Sequence, residues 1–169
     1  ILELSGFVES LSGAHGKAEE YYRRALDALQ AGGPTRDTQA IEAEIARELL
    51  SQDRVDAAEA ALNRIVSGQA DLGLRTQIVV NSLSARIAAR RGAHSEALGY
   101  ARKAAALSED IDDLRLSADI SFTLSIVHRD AGLIAEATSS ANAALDRYLA
   151  KGAALPPGKP STIQNCHSG

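Results

Sequence analysis

Two glycine–lysine pairs, one cysteine and four histidines are the residues with the most obvious chemical capacity in this chain, and their spacing disqualifies most of it. A phosphate-cradling loop needs Gly-Lys followed by Ser or Thr at a helix start, where backbone N–H groups and the lysine meet the phosphates. Here Gly16-Lys17 runs into Ala18, and Gly158-Lys159 into Pro160. No Gly-x-Ser-x-Gly elbow presents a serine nucleophile. Cys166 stands beside His167 in a stretch expected to be irregular, where no organised base activates a thiol, so it reads as inert.

Metal chemistry fares no better. Zinc-binding helices carry a second histidine four residues from the first, and His15, His94 and His128 have none. Packing within helix pairs accounts for His15 and His94, which occupy one repeat position, and His128 reads as a partly buried packing residue. Glu109, Asp110, Asp112 and Asp113 share only their acidity with a calcium loop, whose central Gly and distal Glu are absent. Capping of a following helix explains those charges. The sequence therefore offers no catalytic residue, no cofactor site and no metal site. What remains is binding. Arg86 and Arg90 lie one helical turn apart and point the same way, and a guanidinium is a planar fork suited to carboxylates.

The elements that would position these arginines follow from composition. Apolar residues make up 45% and charged residues 24% of the 169, a globular balance, while aromatics are only 4% with no Trp and no Met. An Ala- and Leu-rich chain with small side chains lets helix backbones approach closely, which predicts an all-α fold. A net charge of −4 argues against a nucleic-acid partner. No apolar run reaches the roughly 18 residues that a membrane span requires. No basic-then-apolar leader opens the chain, and one cysteine suits a reducing, cytoplasmic setting. A start at Ile1 rather than Met suggests a piece of a longer protein.

Internal repetition organises the chain. Segments beginning at Ser12, Gln52, Arg91 and Ala131 align on the turn residues Gly13, Asp53, Gly92 and Gly132, spaced 40, 39 and 40 apart. Five residues after each turn stands Ala18, Ala58, Ala97 or Ala137, and seven further on Ala25, Ile65, Ala104 or Ala144. A left-handed turn residue ends one helix, and the small residue lets the next lie close against it. Apolar residues recur at helical spacing upstream, as in Ile41, Ile45, Leu49 and in Leu83, Ile87. Eight helices are expected, over about 1–12, 16–31, 35–52, 54–67, 72–91, 94–107, 112–131 and 133–151. Gly32-Gly33-Pro34 separates two of them. Pro156, Pro157 and Pro160 forbid a further helix. The expected division is a helical-repeat domain over 1–152 and an irregular or disordered tail over 153–169.

The turn and crossing residues resemble the tetratricopeptide repeat, here with a period near 40 rather than the usual 34 or so. From Thr76 to Gly152 the chain is similar to the helical-repeat tail of large bacterial proteins that join an adenylate/guanylate cyclase domain to an AAA-type ATPase. Its first half, with AEEYYRRALDAL and ELLSQDRVDAAEAAL, is similar too. Val80 and Asn81 depart from the Trp and Arg common there, and the proline-rich tail replaces a further helix after Lys151-Gly152. The resemblance implies a right-handed α-solenoid of four antiparallel helix pairs, and a non-catalytic protein-interaction or regulatory module in a signalling protein.

In such arrays the first helix of each pair lines the concave face. That places Phe7, Arg47, Ser82, Arg86, Arg90, Phe122, Ile126 and Arg129 there as candidate partner-binding residues, a basic stripe suited to an acidic peptide or to upstream domains of the same chain. The alternative is a peptide- or small-ligand-sensing domain of a bacterial transcriptional regulator.

Overall fold

A computed structural model describes residues 1–29, 35–68, 72–109 and 111–150. The described residues form eight α-helices and no strand: α1 (Leu2–Leu11), α2 (His15–Leu29), α3 (Arg36–Ser51), α4 (Val55–Gly68), α5 (Leu74–Arg90), α6 (His94–Ser108), α7 (Leu114–Asp130) and α8 (Ile134–Ala150). Gly32-Gly33-Pro34, Asp110 and everything after Ala150, including the expected tail with Cys166 and His167, lie outside the described residues.

Each odd helix turns into its even partner in the same way. The turn residues Gly13, Asp53, Gly92 and Gly132 take φ values of 80°, 61°, 74° and 76°. The turn amide donates three residues back and the next amide five back, as in Gly13 to the Ser10 carbonyl (3.0 Å) and Ala14 to the Glu9 carbonyl (2.9 Å). The same two bonds recur after α3, α5 and α7. They satisfy carbonyls that the helix end would leave orphaned, and they require a left-handed residue at the turn. Three of the four are therefore Gly, and Asp53 bears the strain of a Cβ there.

Starts are set by caps rather than by the apolar pattern alone. Thr35 caps α3 in a reciprocal box with Thr38. Asp113 accepts from the amides of Arg115 and Leu116 at 3.0 Å each, so α7 begins at Leu114, two residues later than the acidic run suggested. Similarly Gly73 is the N-cap of α5, which starts at Leu74 rather than at residue 72.

Consecutive helices pack along the whole chain, and α3 also touches α5, which touches α7. The small residues sit where the repeat places them: Ala18, Ala58 and Ala97 have no exposed surface, and Ala137, Ala25, Ile65, Ala104 and Ala144 are buried. Gly6 of α1 approaches α2 so closely that a Cβ there would stand 2.9 Å from the Tyr22 ring. Every joint between hairpins is apolar. One cluster runs through α2, α3 and α4 to Leu83 and Ile87 of α5. A second joins α5 and α6 to Val127 of α7, and a third joins Ile78 and Ala104 to Leu116 and Ile120. Each fully buried Leu or Ile of this kind contributes about 1.5–3 kcal/mol. One polar staple reinforces the first joint: buried Glu19 of α2 takes hydrogen bonds from Arg54 (2.9 and 3.0 Å) and Gln52 (2.7 Å) and pairs with Arg23. Among the described residues no helix is long and apolar enough to cross a membrane.

Candidate functional site

The odd helices share a face, and along it runs a cavity of about 350 Å³. It is lined from α1 by Phe7 and Ser10, from α3 by Glu44, Arg47 and Glu48, from α5 by Ser82 and Arg86, and from α7 by Arg115, Asp119, Phe122 and Thr123. Tyr22 of α2 and Tyr148 of α8 close its sides. A neighbouring cavity of about 580 Å³ shares Phe7, Arg47, Arg115 and Asp119 and extends to the N-terminal ends of the odd helices, at Leu4, Gln39 and Arg75. Between the two, the Arg115 guanidinium lies 4.7 Å from the centre of the Phe7 ring and bridges α7 to α1.

Five of the eight residues placed on this face by repeat position are brought together there: Phe7, Arg47, Ser82, Arg86 and Phe122. Arg90, Ile126 and Arg129 are not among the lining residues. Arg90 ends α5 and reaches sideways to Asp53 at the preceding turn. Arg129, next to last in α7, folds onto adjacent Asp130 at 2.8 and 2.9 Å. Both stand beside turns, beyond the end of the groove, so four arginines do not converge. The lining is also not a basic stripe. Three carboxylates, Glu44, Glu48 and Asp119, alternate with Arg47, Arg86 and Arg115.

Partners separate the three arginines. Arg47 donates to both oxygens of Glu44, at 2.9 and 3.2 Å, and that carboxylate holds the guanidinium above its ordinary pKa. Arg115 rests on Phe7, and Asp113 just before it binds Arg75 (2.6 Å). Arg86 differs. Among the described residues it makes no hydrogen bond or ion pair, and burial, then the charges of Arg47 and Arg90, push it down to about 10. The carboxylates that act on it favourably, Asp119 and Glu48, are already engaged. Asp119 accepts from the Tyr148 hydroxyl. Glu48 accepts from Ser10 Oγ at 2.6 Å and bonds His15 Nδ1 at 2.7 Å. Burial first, and then Glu44 and Glu48 for Tyr22 or Asp119 for Tyr148, raise both phenols, and Tyr148 stays protonated as the donor to Asp119.

Ser10, Glu48 and His15 superficially suggest nucleophilic chemistry. The order is wrong for it: the carboxylate, not the imidazole, sits between the other two, so no imidazole touches the hydroxyl. Glu48 instead ties α3 to both helices of the first hairpin. His94, at the equivalent position, is exposed, and His128 bonds Ser140 Oγ at 3.2 Å. Among the described residues no group of three or more His, Cys, Asp and Glu could hold a metal ion.

Repeat position alone did not find Arg115, Asp119, Glu48 or Tyr148. Glu48 carried a signal, since an acid stands where α5 and α7 have Ile87 and Val127. No protein-family model matches the chain, and no curated protein matches it.

Proposed function

We propose that this chain is a non-catalytic protein-interaction module: a right-handed α-solenoid of tetratricopeptide-like hairpins whose concave face holds an acidic segment. That segment belongs to a partner or to upstream domains of the same cytoplasmic signalling protein. The observation that carries the reading is Arg86, a half-buried guanidinium that lines the groove and makes no hydrogen bond or ion pair among the described residues. Burying such a charge unpaired opposes folding, and an incoming carboxylate relieves that cost while gaining charge-assisted hydrogen bonds. Ser82 and Thr123, bonded to each other at 3.0 Å, and Phe122 flank the same cavity and suit a short polar-and-apolar segment.

The test is fluorescence anisotropy with a labelled peptide of alternating Glu and Leu, against wild type and Arg86→Ala. Loss of one charge-assisted contact should weaken binding by about tenfold or more. Because Arg86 is crowded by Arg47 and Arg90, the same change should leave the melting temperature equal or higher. Undiminished binding by Arg86→Ala, or a lower melting temperature, would assign Arg86 a structural role. The cavity volume favours a second reading, a small carboxylate ligand, since compact ligand sites span about 300–1,000 Å³. Glutarate competing with the peptide at low concentration would favour that ligand.

A further inference from the structure

Aromatic side chains are scarce in this chain, two Phe and four Tyr, yet four of these six border the 350 Å³ cavity. Phe7 comes from α1, Tyr22 from α2, Phe122 from α7 and Tyr148 from α8. The repeat does not ask for rings at these places. Leu62 and Ala101 share the register of Tyr22, and Ala43 and Ser82 that of Phe122. The face of an aromatic ring is its negative side and attracts a cation. Phe7 already receives one, the Arg115 guanidinium, 4.7 Å from its centre.

Carboxylates stand among the rings. Glu44 and Glu48 act on the Tyr22 phenol and Asp119 on that of Tyr148, each raising it beyond the effect of burial. Glu44 is matched by Arg47. Glu48 and Asp119 are not matched in this way, since among the described residues neither pairs with an arginine or lysine. Ser10 and His15 hold Glu48, which is 1% exposed, and the Tyr148 hydroxyl holds Asp119. These donors orient the two carboxylates without bringing a guanidinium or ammonium to them. In the same cavity Arg86 has no carboxylate bonded to it among the described residues. The cavity therefore presents unmatched groups of both signs, with the rings on the negative side. A purely acidic occupant would satisfy Arg86 but press against Glu48 and Asp119, both of which act on that guanidinium.

We propose that the segment held in this groove is mixed in charge, with one carboxylate on Arg86 and, beside it, a lysine-type ammonium received by Asp119 and Glu48 among the rings of Tyr22, Phe122 and Tyr148. The inference rests on the acidic-segment reading and adds a basic residue to that segment. Each charge of the occupant then meets one of opposite sign, and the ring faces replace part of the water that the ammonium gives up.

A lysine scan read by fluorescence anisotropy tests it. In the labelled peptide of alternating Glu and Leu, each Leu in turn becomes Lys. One position should bind about tenfold more tightly than the parent peptide, and acetylating that lysine should remove the gain. Asp119→Asn, whose amide oxygen can still accept from Tyr148, should bind the parent peptide more tightly and lose most of the lysine gain. Phe122→Leu should reduce the gain as well, and both variants should keep the wild-type helical spectrum. No gain at any position, an equal gain at every position, or a gain that survives acetylation overturns the proposal, as does a gain that survives both variants. Parent binding that depends on Arg86 but is not improved by any lysine strikes this inference alone. Parent binding indifferent to Arg86→Ala strikes the acidic-segment reading and this inference with it.

Discussion

Replacing Glu48 measures how firmly the first hairpin is tied to the rest. Its carboxylate is 1% exposed and receives Ser10 Oγ at 2.6 Å and His15 Nδ1 at 2.7 Å, so α1, α2 and α3 meet at one side chain. Glu48→Gln preserves shape, and an amide can still accept from one neighbour and donate to the other. It loses only the charge assistance, worth about 1–2 kcal/mol over two bonds. Glu48→Ala removes both bonds and leaves a void, and loss of such a buried partner costs about 3–5 kcal/mol. Half-exposed Ser10 and His15 can turn to water, which holds the value toward the lower end. Glu48→Ile imports the residue type of Ile87, fills the void and should recover about 1–2 kcal/mol relative to Ala. Urea unfolding followed by circular dichroism gives the order directly: wild type, Gln, Ile, Ala. Native-state hydrogen exchange should place the added opening in α1 and α2 rather than in α7 and α8. An Ala variant within about 0.5 kcal/mol of wild type, or one more stable than Ile, would refute the claim that this carboxylate joins the hairpins.

Three further outcomes are expected. Ala97→Leu should destabilise by about 1–3 kcal/mol in a thermal melt, because Ala97 has no exposed surface at its helix crossing and the added methylenes have nowhere to go. Asp53→Gly should stabilise by about 1 kcal/mol, as it removes a Cβ from a left-handed turn and loses only an exposed ion pair with Arg90, and urea unfolding would expose any loss instead. For Asp113, its hydrogen bond with Arg75 and then the Leu116 amide hold the carboxyl below its usual value of 3.8, so its stabilisation is complete above that value and is lost as pH falls through the lower folded value. Asp113→Asn keeps the cap, so it should be about 0.5 kcal/mol less stable at neutral pH and should converge on wild type in acid. An equal deficit at both pH values would show that the Arg75 pair contributes nothing.

The eight helices were legible because turn chemistry and packing leave marks at fixed places. Gly13, Gly92 and Gly132 are left-handed for a reason internal to each turn, and Ala18, Ala58 and Ala97 are small because a backbone lies against them. Asp53 was legible only through its register with the glycines. The groove was half legible. Repeat position puts Arg47 and Arg86 on the cavity side of their helices, but it says nothing of how far along a helix the cavity extends, so Arg90, Ile126 and Arg129 stand outside its lining. Nor can periodicity show which carboxylate turns toward which guanidinium: Glu44, three residues before Arg47, occupies it locally, whereas Asp119 reaches across to Tyr148. Helix starts slipped by two residues at α5 and α7, because Gly73 and Asp113 serve as caps rather than as first turns.

The stacking of Arg115 on Phe7 has a consequence for how the chain unfolds. In an array where each hairpin touches only its neighbours, either end can fray without the other sensing it, and unfolding spreads inward one unit at a time. Phe7 belongs to the first hairpin and Arg115 to the fourth, so their contact closes a circuit across more than a hundred residues. Opening either terminal hairpin breaks that circuit and forfeits the same contact. That single contact, worth about 0.5–1 kcal/mol, couples the two ends only weakly, so each still opens largely by itself, and forming it is a late, entropically demanding closure during folding.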